Sequence, residues 1–278
     1  MFRPNPTMLG HLHFPFKPTL TARRGRLPSE VPGPFASPAR LDSTPPSLLG
    51  ISMLPSPDSS MPFSVHSIYR QTFKVWRRRR FDLFLRLLRP SPSDQLLDVG
   101  GLPDFWTAYP QPVGRIDTVN VSDVKWPPEA STKHSIRTFV GDGCSLPMPS
   151  QSYDIGFSNS VIEHVGSWDR QKRFASEIRR VANALWVQTP AFECPIEPHY
   201  LAPCIHYLPH SVQKRLLRWC TPWGWIEHPN QKQIDDAVET TRLLSKAEMQ
   251  LLFPDCEILI EYLMWFVPKS YIAIRRKT

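Results

Sequence analysis

Apolar positions along the chain fall into two periods. From Ile68 to Arg89 the run IYRQTFKVWRRRRFDLFLRLLR sets Phe73, Trp76, Phe84 and Leu88 at helical spacing, and Pro90 and Pro92 close it, so the pattern predicts an amphipathic helix. Beyond it, short apolar runs alternate with longer amphipathic ones. Leu96, Leu97 and Val99 predict a strand that runs into Gly100 and Gly101, and further strands are predicted over 115–121, 137–140, 153–158 and 184–188. A helix over 168–181 carries Phe174, Ile178 and Val181 on one side, and Ser245-Lys-Ala-Glu248 is a capping box that opens a helix running to Phe253. Two last strands are predicted over 257–263 and 270–275, joined by a turn containing Pro268 and Lys269. Strands and helices alternating at this spacing predict βαβ units and a largely parallel sheet.

Composition changes the picture at the N-terminus. Of 31 prolines, 13 lie between Pro4 and Pro62, interleaved with Ser, Gly and Arg, and such a stretch buries too little apolar surface to offset its ordering entropy. The expected organisation is a disordered tail over 1–62, a basic amphipathic helix within 63–92, and one domain over 93–278. The tail admits three readings: a transit peptide, a disordered arm, or an upstream extension with Met53 or Met61 as the start; a secretory signal is not expected, since prolines at 4, 6, 15 and 18 leave no continuous apolar stretch in the first twenty residues. Residues 1–80 hold 12 basic and 3 acidic side chains, against 21 and 22 in 81–278, so the overall charge of +8 belongs to the N-terminal segment. A nucleic-acid footprint needs cations on the domain's own face, and nucleic acid is not the favoured partner. The Arg77–Arg80 run reads first as a solvated face behind an apolar side packed on the domain, and second as an anchor for anionic lipid or RNA through 68–89. Five cysteines at 144, 194, 204, 220 and 256, none spaced C-x-x-C, indicate neither a disulfide framework nor a zinc knuckle; a cytoplasmic setting is expected, and no metal. No run of 18 apolar residues exists, since Glu261 interrupts even 258–267, which excludes a membrane-spanning helix. The oligomeric state is left open.

A strand entering a glycine pair lets backbone N–H groups approach a ligand, because no Cβ intervenes. The stretches LLDVGG, GDGCSLPMPSQSYDIGFSNSVIEHV and LWVQTP resemble motifs of class I S-adenosylmethionine-dependent methyltransferases, in the broad subgroup called type eleven, and the phrase from Asn159 through QTPAFECPIEPHY to His206-Tyr-Leu-Pro is similar to its bacterial members. The resemblance covers about residues 83–275. It implies a Rossmann-like sheet of seven strands, mostly parallel with the last antiparallel, flanked by helices, and S-adenosyl-L-methionine as cofactor.

The resemblance also implies roles. Asp98, Gly100 and Gly101 would line the methionine end of the cofactor. Asn120 stands where the family usually has Asp or Glu for both ribose hydroxyls; an amide accepts one and donates to the other. Asp142 would take the adenine amino group, with Gly141 and Cys144 beside the ring, and Asn159 and Ser160 would flank the sulfonium side, before Glu163 and His164. One departure stands out: the family's loop is D-x-G-x-G-x-G, whereas Leu102, Pro103 and Asp104 follow Gly101 here. The loop is read as a variant that still admits the cofactor.

Methyl transfer is an in-line displacement, so the protein mainly aligns the acceptor and excludes water, and a base is needed only for a weakly acidic hydroxyl. Candidate bases are His199 and His164, with His206 behind them. Trp219, Trp223 and Trp225, with Phe192, Tyr200 and Tyr207, lie in a segment around 192–230 that reads as an apolar lid over a small-molecule or lipid-like acceptor, or else as core beneath a helix starting at His210. Rival readings are an RNA or protein methyltransferase and a binding module without cofactor. A nicotinamide oxidoreductase would want the G-x-G-x-x-G that residues 102–104 do not supply.

Overall fold

The computed structural model describes residues 74–106, 108–124 and 135–277; the predicted tail and the first part of the basic helix lie outside the described residues. Helix α1 (Lys74–Leu88) leads into β1 (Gln95–Val99), a short α2 (Pro103–Trp106), β2 (Arg115–Asn120), β3 (Ile136–Val140) and β4 (Tyr153–Asn159). A 3₁₀ turn (Ile162–His164) precedes α3 (Trp168–Val181) and β5 (Ala182–Pro190). The strands pair in the order β3-β2-β1-β4-β5-β9-β8, where β8 is Glu257–Leu263 and β9 is Val267–Arg275. Pairs among β1 to β5 are parallel, and β9 lies antiparallel between β5 and β8. This is the expected seven-stranded, mostly parallel sheet with its last strand reversed.

Alternating side chains on these strands build a core on each face. Leu97, Val99 and Leu185 pack with Phe174 and Ile178 of α3 on one side. Leu96, Ile155, Phe157 and Trp186 pack with Phe84 and Leu88 of α1 on the other. Burial on both faces explains why these strands read as near-continuous apolar runs. Phe84 seats α1 by meeting Phe157 and Trp186 edge-on, with ring centroids 5.4 and 5.6 Å away.

Two expectations need correction. Arg80 is not solvated: it is 7 % exposed, and its guanidinium donates to Glu261 (3.2 and 2.5 Å), Asn159 Oδ1 (2.8 Å) and Gln188 Oε1 (2.9 Å). The reason is helical position, since residue 80 precedes Phe84 and Leu88 by whole turns and so shares their inward face; Arg78 and Arg79 are exposed as expected. Nor do Pro268 and Lys269 form the last turn. They lie within β9, and Met264, Trp265 and Phe266 make the reversal, Met264 and Trp265 with φ of 50° and 75°. A register shift between Glu261 and Tyr262, just where Pro268 pairs with Tyr262, accommodates a residue with no N–H.

After β5 come a two-stranded ribbon of β6 (Ile196–Glu197) and β7 (Ala202–Pro203), a 3₁₀ turn (Ile205–Tyr207), and helices α4 (His210–Cys220), α5 (Pro222–Glu227), α6 (Gln231–Thr240) and α7 (Lys246–Leu252). Tyr200, Leu217, Trp223, Ile234 and Val238 form a separate small core within this segment. Trp219 and Trp225 stand exposed. The predicted capping box is present, with Ser245 and Glu248 each accepting the other's backbone N–H.

Candidate active site

Because β1 sits between β2 and β4, the chain reverses its winding direction at β1/β4, and in such sheets ligands bind outside the carboxyl ends of the strands at that reversal. The predicted residues gather there in three linked groups.

The first group surrounds the turn after β1. Gly100 has φ of +82°, and a Cβ on it would lie 2.4 Å from Val161 Cγ2; a Cβ on Gly101 would lie 2.3 Å from Asp98 Oδ2. Only glycine lets the chain fold this closely over Asp98 and the exit of β4. Leu102 is 47 % exposed, so it does not belong to the core beside the glycine turn. Asp98 is buried and takes the Trp106 Nε1 proton at 2.6 Å. Burial pushes its carboxyl up to about 7, against the opposing pull of that indole N–H. Trp106 is a site residue that sequence reading missed; a lone Trp after a glycine turn carries no spacing signal.

Asn120 ends β2, with Nδ2 donating to Gly101 O at 3.1 Å, while its buried Oδ1 has no partner. Gly141 donates its N–H to Asn120 O at 2.8 Å. Asp142 accepts from Cys144 N (2.9 Å) and pairs with Arg170 (3.0 Å). Burial raises the Asp142 carboxyl, but the Cys144 amide and Arg170 outweigh it and hold it below the ordinary range. The Cys144 thiol is buried and donates to Arg170 O at 3.3 Å, so at this position it is the backbone that faces the turn.

The second group lies at the ends of β4 and β5. Ser160 adopts a left-handed φ of 58°, and its Oγ donates to Gln188 Oε1 at 3.0 Å. Asn159 and Gln188 both accept from Arg80, so α1 reaches across to fix this edge.

The third group brings together His164 and His199, whose rings meet edge-on at 4.7 Å. His199 Nδ1 lies 2.6 Å from Glu197 Oε1, and Thr189 Oγ1 donates to fully buried Glu163 at 2.9 Å. Burial pushes Glu163 up to about 7. Burial and the neighbouring His199 pull His164 down to about 3, so it stays neutral. For His199 burial pulls downward, but Glu197 and Glu163 outweigh it and raise its affinity for a proton. His206 lies apart from this pair, with Nε2 3.0 Å from Phe192 O, and lines the neighbouring cleft. A cleft of about 420 Å³ lies alongside, lined by Phe192, Glu197, Tyr200, His210, Thr241 and Arg242 among others.

The donor set fits a cationic nucleoside with free hydroxyls: a buried carboxylate that gains from a positive partner, an unfilled amide oxygen, and a turn that a Cβ would obstruct. Residues 97–184 match a family model described as a methyltransferase domain. Among solved structures, the chain is similar to a Burkholderia thailandensis 1,6-didemethyltoxoflavin-N1-methyltransferase with bound 1,6-didemethyltoxoflavin and S-adenosylhomocysteine (13 % identity, TM-score 0.46, 77 % of this chain and 85 % of that one). It is also similar to the YcgJ protein of Bacillus subtilis (13 %, 0.44, 71 % and 95 %). A third is the putative methyltransferase in complex with the Trm112 activator of Haloferax volcanii (13 %, 0.42, 76 % and 94 %). No curated protein matches the sequence.

Proposed function

We propose that this chain, whose residues 97–184 match a methyltransferase domain, is a class I S-adenosylmethionine-dependent methyltransferase that binds S-adenosyl-L-methionine at the β1/β4 reversal and methylates a small-molecule or lipid-like acceptor. The observation that carries the cofactor assignment is Asp98, a buried carboxyl raised to about 7 beneath a glycine turn, which a cationic ammonium would stabilise. The sulfonium supplies the reactive methyl group. What remains for the protein is to bind, orient and keep water out.

Asn120 Oδ1, which has no partner, would accept from a ribose hydroxyl, and the backbone of residues 141–144 would border the adenine, with Asp142 held ionised by the Cys144 amide and Arg170. Asn159 and Ser160, fixed by Arg80 and Gln188, border the methyl side. Of the two histidines His199 is the stronger proton acceptor, because Glu197 supports its charge whereas burial keeps His164 neutral. A small acceptor is favoured over RNA by two features: a cleft of about 420 Å³ suits a molecule of metabolite size, and residues 81–278 carry 21 basic against 22 acidic side chains.

Isothermal titration of S-adenosylhomocysteine into wild type and Asp98→Ala tests the reading, together with a radiolabelled-methyl screen of metabolite extracts. Saturable binding lost in the variant is expected. Equal binding by both proteins, or none by wild type, removes the cofactor assignment.

A further inference from the structure

Glu163 and His164 follow β4 in one 3₁₀ turn, and His199 lies beyond β6, 35 residues later in the chain. Each offers one ligand atom, and the three atoms lie within 4.8 Å of one another. One atom of each is already held. Thr189 Oγ1 donates to Glu163 Oε2 at 2.9 Å, Glu197 Oε1 sits 2.6 Å from His199 Nδ1, and Thr241 Oγ1 sits 3.4 Å from His164 Nδ1. That leaves Glu163 Oε1 and the two Nε2 atoms as the free members.

Glu163 is fully buried, yet its Oε1 has no hydrogen-bond partner. A buried carboxylate oxygen without a donor is costly, and it calls for a cation or a proton. Histidines that ligate metals donate their second ring N–H to a carboxylate or another oxygen, which fixes the tautomer and aims the other nitrogen inward. Here Glu197 and Thr241 stand in that position for the two rings. Two imidazoles with one carboxylate suit first-row transition cations, whereas Mg²⁺ and Ca²⁺ prefer all-oxygen shells.

We propose that Glu163, His164 and His199 bind one first-row divalent cation at the carboxyl edge of the sheet, beside the exit of β4. Three protein ligands leave coordination positions open for an oxygen of the acceptor. With the cation in place His199 Nε2 is a ligand rather than a base, and a hydroxyl of the acceptor bound at an open position would give its proton to solvent water, a loss that the cation's charge favours. The sequence held no hint of this in its cysteines; the ligand set is assembled from a Glu-His pair and a distant histidine.

The site is tested by titrating the chelator-treated full-length protein with Co²⁺ and following its visible absorption. Wild type is expected to take up one equivalent, displaced by Zn²⁺, with the absorption lost in Glu163→Gln and His199→Asn. Glu197→Gln keeps all three ligands and relaxes only His199, so about tenfold to a hundredfold weaker binding is expected. Circular dichroism verifies that each variant is folded, and Zn²⁺ should raise the melting temperature of wild type but not of Glu163→Gln. His206→Gln, outside the cluster, should bind as wild type does. No saturable Co²⁺ binding by wild type, or binding unchanged in folded Glu163→Gln and His199→Asn, overturns the proposal. The readout is cation uptake, so its failure is independent of the S-adenosylhomocysteine titration and of the methyl-transfer reading.

Discussion

Asp98 holds its proton up to about pH 7, against an ordinary value of 3.8, because burial outweighs the Trp106 N–H. A group with a raised folded value adds stability that is complete below the unfolded value and is lost as pH rises through the folded one. Carrying a carboxyl from 3.8 to about 7 corresponds to roughly 4 kcal/mol before relaxation, so the effect on unfolding is on the order of a few kcal/mol. Glu163 and His164 also titrate, in opposing directions, which makes the difference between wild type and Asp98→Asn the quantity to measure. Urea unfolding at several pH values should show wild type losing stability relative to Asp98→Asn between about pH 4 and 7; parallel curves would contradict the buried, uncompensated carboxyl. Asn120 gives a second prediction at this scale. Asn120 Nδ2 is the donor to Gly101 O in a buried turn. Asn120→Asp replaces that donor with an acceptor facing a carbonyl, and should destabilise the protein by about 1–3 kcal/mol in urea unfolding.

At the scale of elements, α1 is tied to the site through one side chain. Removing Arg80 takes the guanidinium from Glu261, which keeps Ser270 Oγ and the Lys269 charge, and strips a donor from both Asn159 and Gln188. Breaking such a buried pair from one side costs about 3–5 kcal/mol, far more than an exposed pair such as Arg78–Asp82, worth under about 1 kcal/mol. Arg80→Ala should therefore lower the urea midpoint sharply while Arg78→Ala barely moves it; equal effects would place Arg80 outside the core. The same arginine marks where sequence reading stops. The central strands β1, β2, β4 and β5 were legible because most of their residues are buried, so that they read as short apolar runs. The ends of α3 were legible from its amphipathic side. In Arg77–Arg80, however, identical residues occupy every face of one helical turn, and composition cannot say which points inward; only its spacing from Phe84 and Leu88 carried that information. The histidines were singled out one at a time, but nothing local reports that residues 164 and 199 meet, because their approach is made by the fold of the 190–200 segment over the end of β4 and β5.

For the whole molecule, the two halves of the charge distribution make separable predictions. Residues 1–80 hold 12 basic and 3 acidic side chains, whereas 81–278, with the entire sheet and every candidate site residue, are near neutrality. Attraction of the full chain to a polyanion is thus expected from this cation-rich stretch, whose pull on a distant partner falls within about 10 Å at 0.1 M salt. The binding proposed at Asp98 and Asn120 would depend instead on buried groups, both under 5 % exposed, where screening is weak. Raising salt from about 0.05 to 0.5 M should release the full-length protein from a heparin column while leaving its calorimetric affinity for S-adenosylhomocysteine within a factor of about three. A tenfold or larger loss of that affinity over the same range would mean that the basic segment reaches the sheet edge and contributes to the site. The acceptor would then be sought among polyanions rather than among small molecules that fit the cleft beside His199.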